Sequence, residues 1–317
     1  RERVTFSSDN GFNFREVFVR VSDGELLANN SLIAHLEKHV HDGNNSCLGV
    51  DQFMLPGANI CSEEMSCNSD PIAEKVFSNL QHTENFYKDV LDYQNADHTI
   101  DSMKTTIHLD LLHNFECDPN NAFYLAAPFY QLIFGDGDNV NFVEMGRSID
   151  VVAHEFTHAV VDLTAKLTFE GESGALNEAF GDIMAMGASA WITAGRNHDQ
   201  FFGNNDTWLL GEDIILTRSA MRYADNPTFD GISHDYYPER YTGTEDNGGV
   251  HINNGIANLA FFLLVNGGSH PRGKTNIDVT SIGMESAIKI FYHTLTHLLN
   301  SQATFASTRV ATIRSAE

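Results

Sequence analysis

The sequence predicts an α+β chain in which strands come first and helices follow. Residues 16–21 and 104–109 alternate or carry β-branched side chains, the two-residue period of a half-buried strand. Beyond residue 150 apolar positions recur at helical spacing, in runs that include 253–266, 280–299 and 304–317. A length of 317 residues can bury a sizeable core and suggests two domains, 1–150 and 151–317.

Within the first part, residues 135–138 (Gly-Asp-Gly-Asp) read as a hairpin turn. Cys47, Cys61, Cys67 and Cys117 all fall there. They can form two disulfides in three connectivities, which suits an oxidising compartment; four buried free thiols are the alternative. No paired C-x-x-C points to a metal site among them. No apolar run reaches the ~18 residues that suggest a transmembrane helix, and no signal peptide is seen, so a secreted protein would stand here in its mature form. The formal charge of −24, from 43 acids and 19 bases, argues against binding a phosphate backbone, which needs clustered Lys and Arg. The acids are scattered, as on a solvated surface that favours solubility.

The second part opens on a helix, with Asp150 as its expected N-cap and Val151, Val152, Phe156, Val160, Val161 and Leu163 as its apolar positions. This helix, expected to reach Leu167, carries His154-Glu155-Phe-Thr-His158. Histidines at i and i+4 share a face and can hold one zinc ion, with Glu155 beside the first ligand. Catalytic zinc wants three protein ligands and an open position. Glu178 is the candidate for the third. It stands in 174–183, within a second helix-like run that continues through Met184, Met186 and Trp191. Asp182, four residues on, would accept the ring N–H of a ligating histidine. A plain exposed face bearing two acids is the alternative. His35/His39 and His293/His297 repeat the i,i+4 spacing, but the first pair has Glu37 in the wrong position and the second has no acid between, so they read as ordinary surface or core histidines.

With 154–158 (HEFTH), 174–182 (GALNEAFGD) and 246–253 (DNGGVHIN), the chain resembles the thermolysin family of secreted zinc endopeptidases. The 19 residues between His158 and Glu178 are the family's separation. Resemblance extends through 120–124, 135–138 and 289–292, and covers about residues 76–317. It implies a β-rich N-terminal domain, a mainly helical C-terminal domain, and a zinc cleft between them floored by the HEFTH helix. It implies a monomer acting on peptide or protein substrates, away from nucleic acid and membrane, with a C-terminal subdomain that stops about two helices short of the family's.

Zinc would polarise the scissile carbonyl and lower the pKa of its water towards ~7, with Glu155 as general base. By the resemblance, His251 steadies the negative oxygen of the tetrahedral intermediate, and Asp246 orients His251. Asn121 and the Ala122 backbone hold the substrate main chain, and Arg222 binds a substrate carbonyl. Phe142, Met145, Val151 and Met221 line an apolar pocket for the residue after the cut bond. Plain core packing is the bland alternative for those four.

Two departures stand out. Phe169 occupies the place of a family tyrosine that helps the oxyanion, so turnover is expected to be slower, though not abolished. Asp150, Asp206 and Glu212 could be oxygen ligands for calcium, but Met186 and Ser189 replace acids that the family uses, so a weakened or lost calcium site is expected. The leading expectation is a zinc endopeptidase cutting before hydrophobic residues. The alternatives are a zinc exopeptidase, which would need a capture site for a free amine, and a zinc-loaded peptide-binding protein with lost catalysis.

Overall fold

A computed structural model describes residues 37–49, 55–93, 102–113 and 116–317, with the backbone strands β1 (Glu2–Phe6), β2 (Arg15–Val19) and β3 (Leu26–Ser31). These three make a small antiparallel sheet in the order β1-β2-β3. The strand expected at 16–21 is β2; residues 20 and 21, and His35, lie outside the described residues.

The larger sheet holds β4 (Glu37–Leu48), β5 (Ala58–Ser62), β6 (Ser102–His113), β7 (Glu116–Asp118), β8 (Ala122–Leu125) and β9 (Gln131–Phe134). Its order is β5-β4-β6-β9-β8, with β7 paired to β6. β4 and β9 run parallel to β6, while β5, β7 and β8 are antiparallel to their neighbours. Parallel neighbours need a crossover. The helix α1 (Pro71–Asp89) lies between β5 and β6 in the chain and packs on β4 and β5, burying Ala73, Val76, Leu80, Phe86 and Tyr87. Asp70 caps it, accepting from the N–H groups of Ile72 (2.7 Å) and Ala73 (3.1 Å), with Pro71 in the first turn. Disulfides join Cys47 to Cys117, tying β4 to β7, and Cys61 to Cys67 beyond β5.

Residues 135–138 do not form a hairpin. β9 ends at Phe134, and the Asp138 carboxylate gathers the N–H groups of Val140, Asn141 and Phe142 into a side-chain-held loop. Phe142 then bridges to Ile215 in the second half of the chain.

Helix α2 (Ile149–Leu163) starts from Ser148, so Asp150 is not its N-cap. Asp150 sits buried in the first turn, where the helix dipole favours an acid. Its Oδ1 accepts from the Val151 N–H at 2.8 Å and from the Ser148 hydroxyl, and its Oδ2 accepts from the Gly211 N–H. The carboxylate thereby ties α2 to the strand β10 (Leu209–Leu210), which pairs with β11 (Arg222–Tyr223). α2 ends four residues short of Leu167.

Helix α3 (Gly171–Thr193) is buried along nearly its whole length, from Ser173 to Trp191 with few breaks. A helix apolar all round belongs at the centre, and α3 contacts α1, α2, α4 (Asp246–Asn253), α5 (Gly255–Asn266), α6 (Met284–His293) and α7 (Phe305–Ala316). The run expected at 280–299 is α6 followed by a π turn over Thr294–Leu298. By mean hydropathy the 21 residues Asp246–Asn266 could cross a bilayer, contrary to the expectation from continuous runs. They are broken by left-handed backbone at Asn247, Gly248 and Gly249, and α4 and α5 both pack on α3 as core helices.

Candidate active site

One turn of α2 separates His154 from His158, whose rings meet edge to face with centroids 4.7 Å apart. Each ring is fixed through Nδ1, His154 to Asp182 Oδ1 and His158 to Asn177 Oδ1, both at 2.9 Å. In the neutral tautomer with Nδ1–H donating to those oxygens, each Nε2 offers the lone pair that a metal ligand requires, and a bound metal would displace any proton held there. The two Nε2 atoms stand 3.1 Å apart. Glu178 on α3 completes the cluster, 3.3 Å from His154 Nε2 and 3.5 Å from His158 Nε2. Ligands bonded to zinc at ~2.0–2.1 Å in a tetrahedron lie about 3.3 Å from one another, so the donor set fits a single zinc ion. Among the described residues this is the group of three His, Cys, Asp or Glu that could hold a metal.

The close approach of the two helices depends on Gly181. A Cβ there would fall 2.6 Å from Cε1 and Nδ1 of the His154 ring. Asp182, fully buried, accepts from His154, from Arg222 Nε (2.9 Å) and Nη2 (2.5 Å), and from the amides of Asn254 (2.9 Å) and Asn258 (2.7 Å). Burial opposes its ionisation, but Arg222 and His154 prevail and hold its pKa at about 2. Burial likewise works against charge on His154, yet Asp182 and Glu178 push it up to about 10. Glu178 is driven well below the usual carboxylate range by the three histidines around it, against its own desolvation. Glu155 differs: burial raises its pKa, and its Oε2 has no hydrogen-bond partner. An acceptor left open beside two imidazoles is what a general base for water requires.

Across the cleft, His251 on α4 bonds Asp246 Oδ1 through Nδ1 at 2.6 Å, leaving Nε2 3.4 Å from Glu178. The left-handed run 246–249 folds the Asp246 carboxylate back onto His251, whose N–H it also accepts at 2.7 Å. Gly249 is required there, since a Cβ would meet Tyr241 at 2.6 Å. The cleft has a volume of 680 Å³ and is lined by Asn121, Ala122 and Tyr124 from β8 and the loop before it, by α2, and by Leu210, Ile214, Met221, Arg222 and His251. β8 is an edge strand, whose free backbone groups can pair with an extended peptide.

Two family models match, the thermolysin metallopeptidase catalytic domain over residues 62–162 and the thermolysin metallopeptidase alpha-helical domain over residues 165–317. The chain belongs to the thermolysin family of metallopeptidases. It is 36% identical over 265 residues to a bacillolysin of Brevibacillus brevis, covering 83% of this chain and 45% of that protein. To a thermolysin of Alicyclobacillus acidocaldarius subsp. acidocaldarius it is 38% identical over 234 residues, covering 73% and 38%. The chain thus spans less than half the length of these curated relatives. Among solved structures it resembles the precursor of protealysin, a metalloproteinase from Serratia proteamaculans, with a TM-score of 0.69 and 25% identity over 89% of this chain and 82% of that one.

Of the residues singled out from sequence, the structure gathers His154, Glu155, His158, Glu178, Asn121, Ala122, Met145, Val151, Met221, Arg222 and His251 around this thermolysin-family cleft, with Asp182 and Asp246 behind the histidines. Phe142 does not line the cleft, whereas Leu210 and Ile214 do; the Phe142 backbone bridges to Ile215. Burial, then the neighbouring Asp150, pushes Glu212 up to about 8, so these two acids stand together. Asp206, in a short 3-10 turn ahead of β10, joins neither of them in a ligand group among the described residues. Asp150 accepts from the Ser148 hydroxyl and from the N–H groups of Val151 and Gly211. Asn177, Asn254 and Asn258 escaped the sequence reading. Asn177 directly precedes Glu178, and an amide beside a ligand on a helix was the available signal.

Proposed function

We propose that this chain is a secreted, monomeric zinc endopeptidase that cuts peptide bonds on the N-terminal side of hydrophobic residues. The supporting observation is the convergence of two Nε2 atoms and a carboxylate at zinc-ligand spacing beside Glu155, whose buried oxygen lacks a partner. Zinc, when bound by His154, His158 and Glu178, supplies Lewis acidity to a carbonyl oxygen and acidifies water.

The residues of the chain do the rest. β8 pairs with the substrate backbone, and the pocket of Met145, Val151, Leu210, Ile214 and Met221 takes an apolar side chain. Glu155 accepts a proton from the attacking water and returns it to the departing amine, helped by the raised affinity for protons that burial confers. His251, its ring set by Asp246, donates from Nε2 to the developing oxyanion. Arg222 keeps Nη1 free of Asp182 and can reach a substrate carbonyl.

The test is metal analysis together with digestion of an internally quenched, end-blocked peptide, with and without chelator. Internal cleavage that stops on chelation is expected. Zinc bound without cleavage would leave a peptide-binding protein, and cleavage of free-ended peptides alone would leave an exopeptidase. Glu155→Gln is expected to retain zinc and lose about 10²–10⁴-fold in kcat.

A further inference from the structure

The cleft has two unlike ends, joined by one face of α2. Val151, near the start of the helix, meets the apolar end with Met145, Leu210 and Met221. Further along the cleft-lining positions are His154, His158 and Asp162; the chain then leaves the helix and reaches Lys166, also on the cleft wall. At 1.5 Å per residue Asp162 lies about 6 Å beyond His158 along the axis, and Lys166 lies further still. An extended peptide advances about 3.3 Å per residue. With the cut bond over His154 and His158 and the apolar end taking the residue after it, Lys166 stands on the side of the residues before the cut, about two or three residues from the bond.

Two observations set Lys166 apart. Its backbone is left-handed, with φ 54°, while its N–H closes the end of α2 on the Val161 carbonyl at 2.7 Å. Glycine takes that conformation freely and a residue with a Cβ resists it. Arg196 takes a similar left-handed conformation just after α3, but of these two cations Lys166 is the one on the cleft wall.

The second observation is electrostatic. The cleft wall carries Asp150, Glu155, Asp162 and Glu178 as acids and only Lys166 and Arg222 as strong bases. Arg222 is bound to Asp182 through two nitrogens. Lys166 is exposed and pairs with no carboxylate among the described residues. Asp162, four residues earlier and still on α2, accepts from the Tyr124 hydroxyl at 3.1 Å. In a chain of charge −24, Lys166 is the uncommitted cation facing the substrate path.

We propose that Lys166 determines specificity, favouring substrates with an Asp or Glu side chain two or three residues before the cut bond. The proposal rests on the endopeptidase reading above.

The experiment uses zinc-loaded protein and end-blocked quenched peptides sharing one apolar residue after the cut. Glu, Gln or Lys is placed in turn at the first, second and third residue before it. The readout is the kcat/KM ratio of Glu to Lys peptides in the wild type, Lys166→Glu and Lys166→Gly. Wild type is expected to prefer Glu about fivefold at the second or third position, the yield of a partly screened ion pair, and less so in 1 M salt. Lys166→Glu should invert the ratio. Lys166→Gly should bring it near one and, by relaxing the backbone, unfold at a higher temperature. Equal ratios in wild type and Lys166→Glu at all three positions, with the Gln peptides still cut, would overturn the role of Lys166 and leave the peptidase standing. Failure of the zinc-loaded wild type to cut any of the peptides would overturn both.

Discussion

The Phe169 ring sits between two groups of the proposed machinery, its centroid 6.3 Å from that of His158 and 5.9 Å from that of His251, and it is 42% exposed to the cleft. A hydroxyl on that ring would place a second donor beside His251, where negative charge develops in peptide hydrolysis. A committed donor of this kind contributes about 2.7–4 kcal/mol, and a partly exposed one contributes less. Phe169→Tyr is therefore expected to raise kcat by about tenfold with little change in KM; an unchanged kcat in steady-state assays on the blocked peptide would show that the ring is not aimed at the oxyanion. At this scale the sequence was most legible where chemistry fixes both residue type and spacing. His154, Glu155, His158 and Glu178 could be read because few other combinations bind and use zinc. Asn254 and Asn258 could not, because a side-chain amide gains its role only when folding brings Asp182 within reach.

Between elements, the decisive contact is the crossing of α2 and α3, which sets His154 and His158 against Glu178. Gly181 makes it possible, and nothing in its local sequence distinguishes it from a helix-weakening glycine until the His154 ring is seen lying over it. Gly181→Ala forces a Cβ into that ring. Overpacking typically costs about 1–3 kcal/mol, and an imidazole displaced from Asp182 loses the orientation on which metal affinity depends, commonly about 10–100-fold. The expected result is unchanged helical content with a lower melting temperature and weaker zinc retention in a chelator competition; zinc affinity equal to the wild type would show that the ring accommodates the methyl group. The misread elements have a common physical origin. Asp150 looked like a cap and 135–138 like a hairpin because both carry turn-type residues, but tertiary partners decided otherwise. Gly211 claims the Asp150 carboxylate, and Ile215 claims the chain after Asp138. The central helix α3 shows little one-sided pattern because every face of it is core.

Across the whole molecule, the passage from strands to helices was visible in the periodicity, whereas the strand order β5-β4-β6-β9-β8 was not, since pairing partners far apart in the chain leave no local trace. His108 on β6 is one of the joints that fix this arrangement. Its Nδ1 meets Asp136, in the loop after β9, at 2.6 Å, and its Nε2 meets Asp70, the cap of α1, at 2.9 Å. Both nitrogens face carboxylates, so the ring is held protonated. The Asp136 hydrogen bond, then burial in opposition, then Asp70 carry its pKa up to about 9. In the unfolded chain a histidine titrates near ~6.5. The folded state therefore binds the proton more tightly, and the joint contributes its full stability below pH ~6.5 and loses it as pH rises through about 9. Asp70 acts in the other direction: its pKa is lowered, so its share is present above its unfolded value and is lost only on acidification. Melting temperatures of zinc-loaded wild type and His108→Asn, measured from pH 6 to 10, separate these contributions; Asn is chosen because it tolerates the left-handed backbone at 108, with φ 55°. The variant is expected to melt lower at pH 6 and to lack the wild-type decline between pH 6.5 and 9, so that the two curves converge on the alkaline side. Curves that stay parallel over the whole range would show that no proton at His108 couples β6, α1 and the loop after β9.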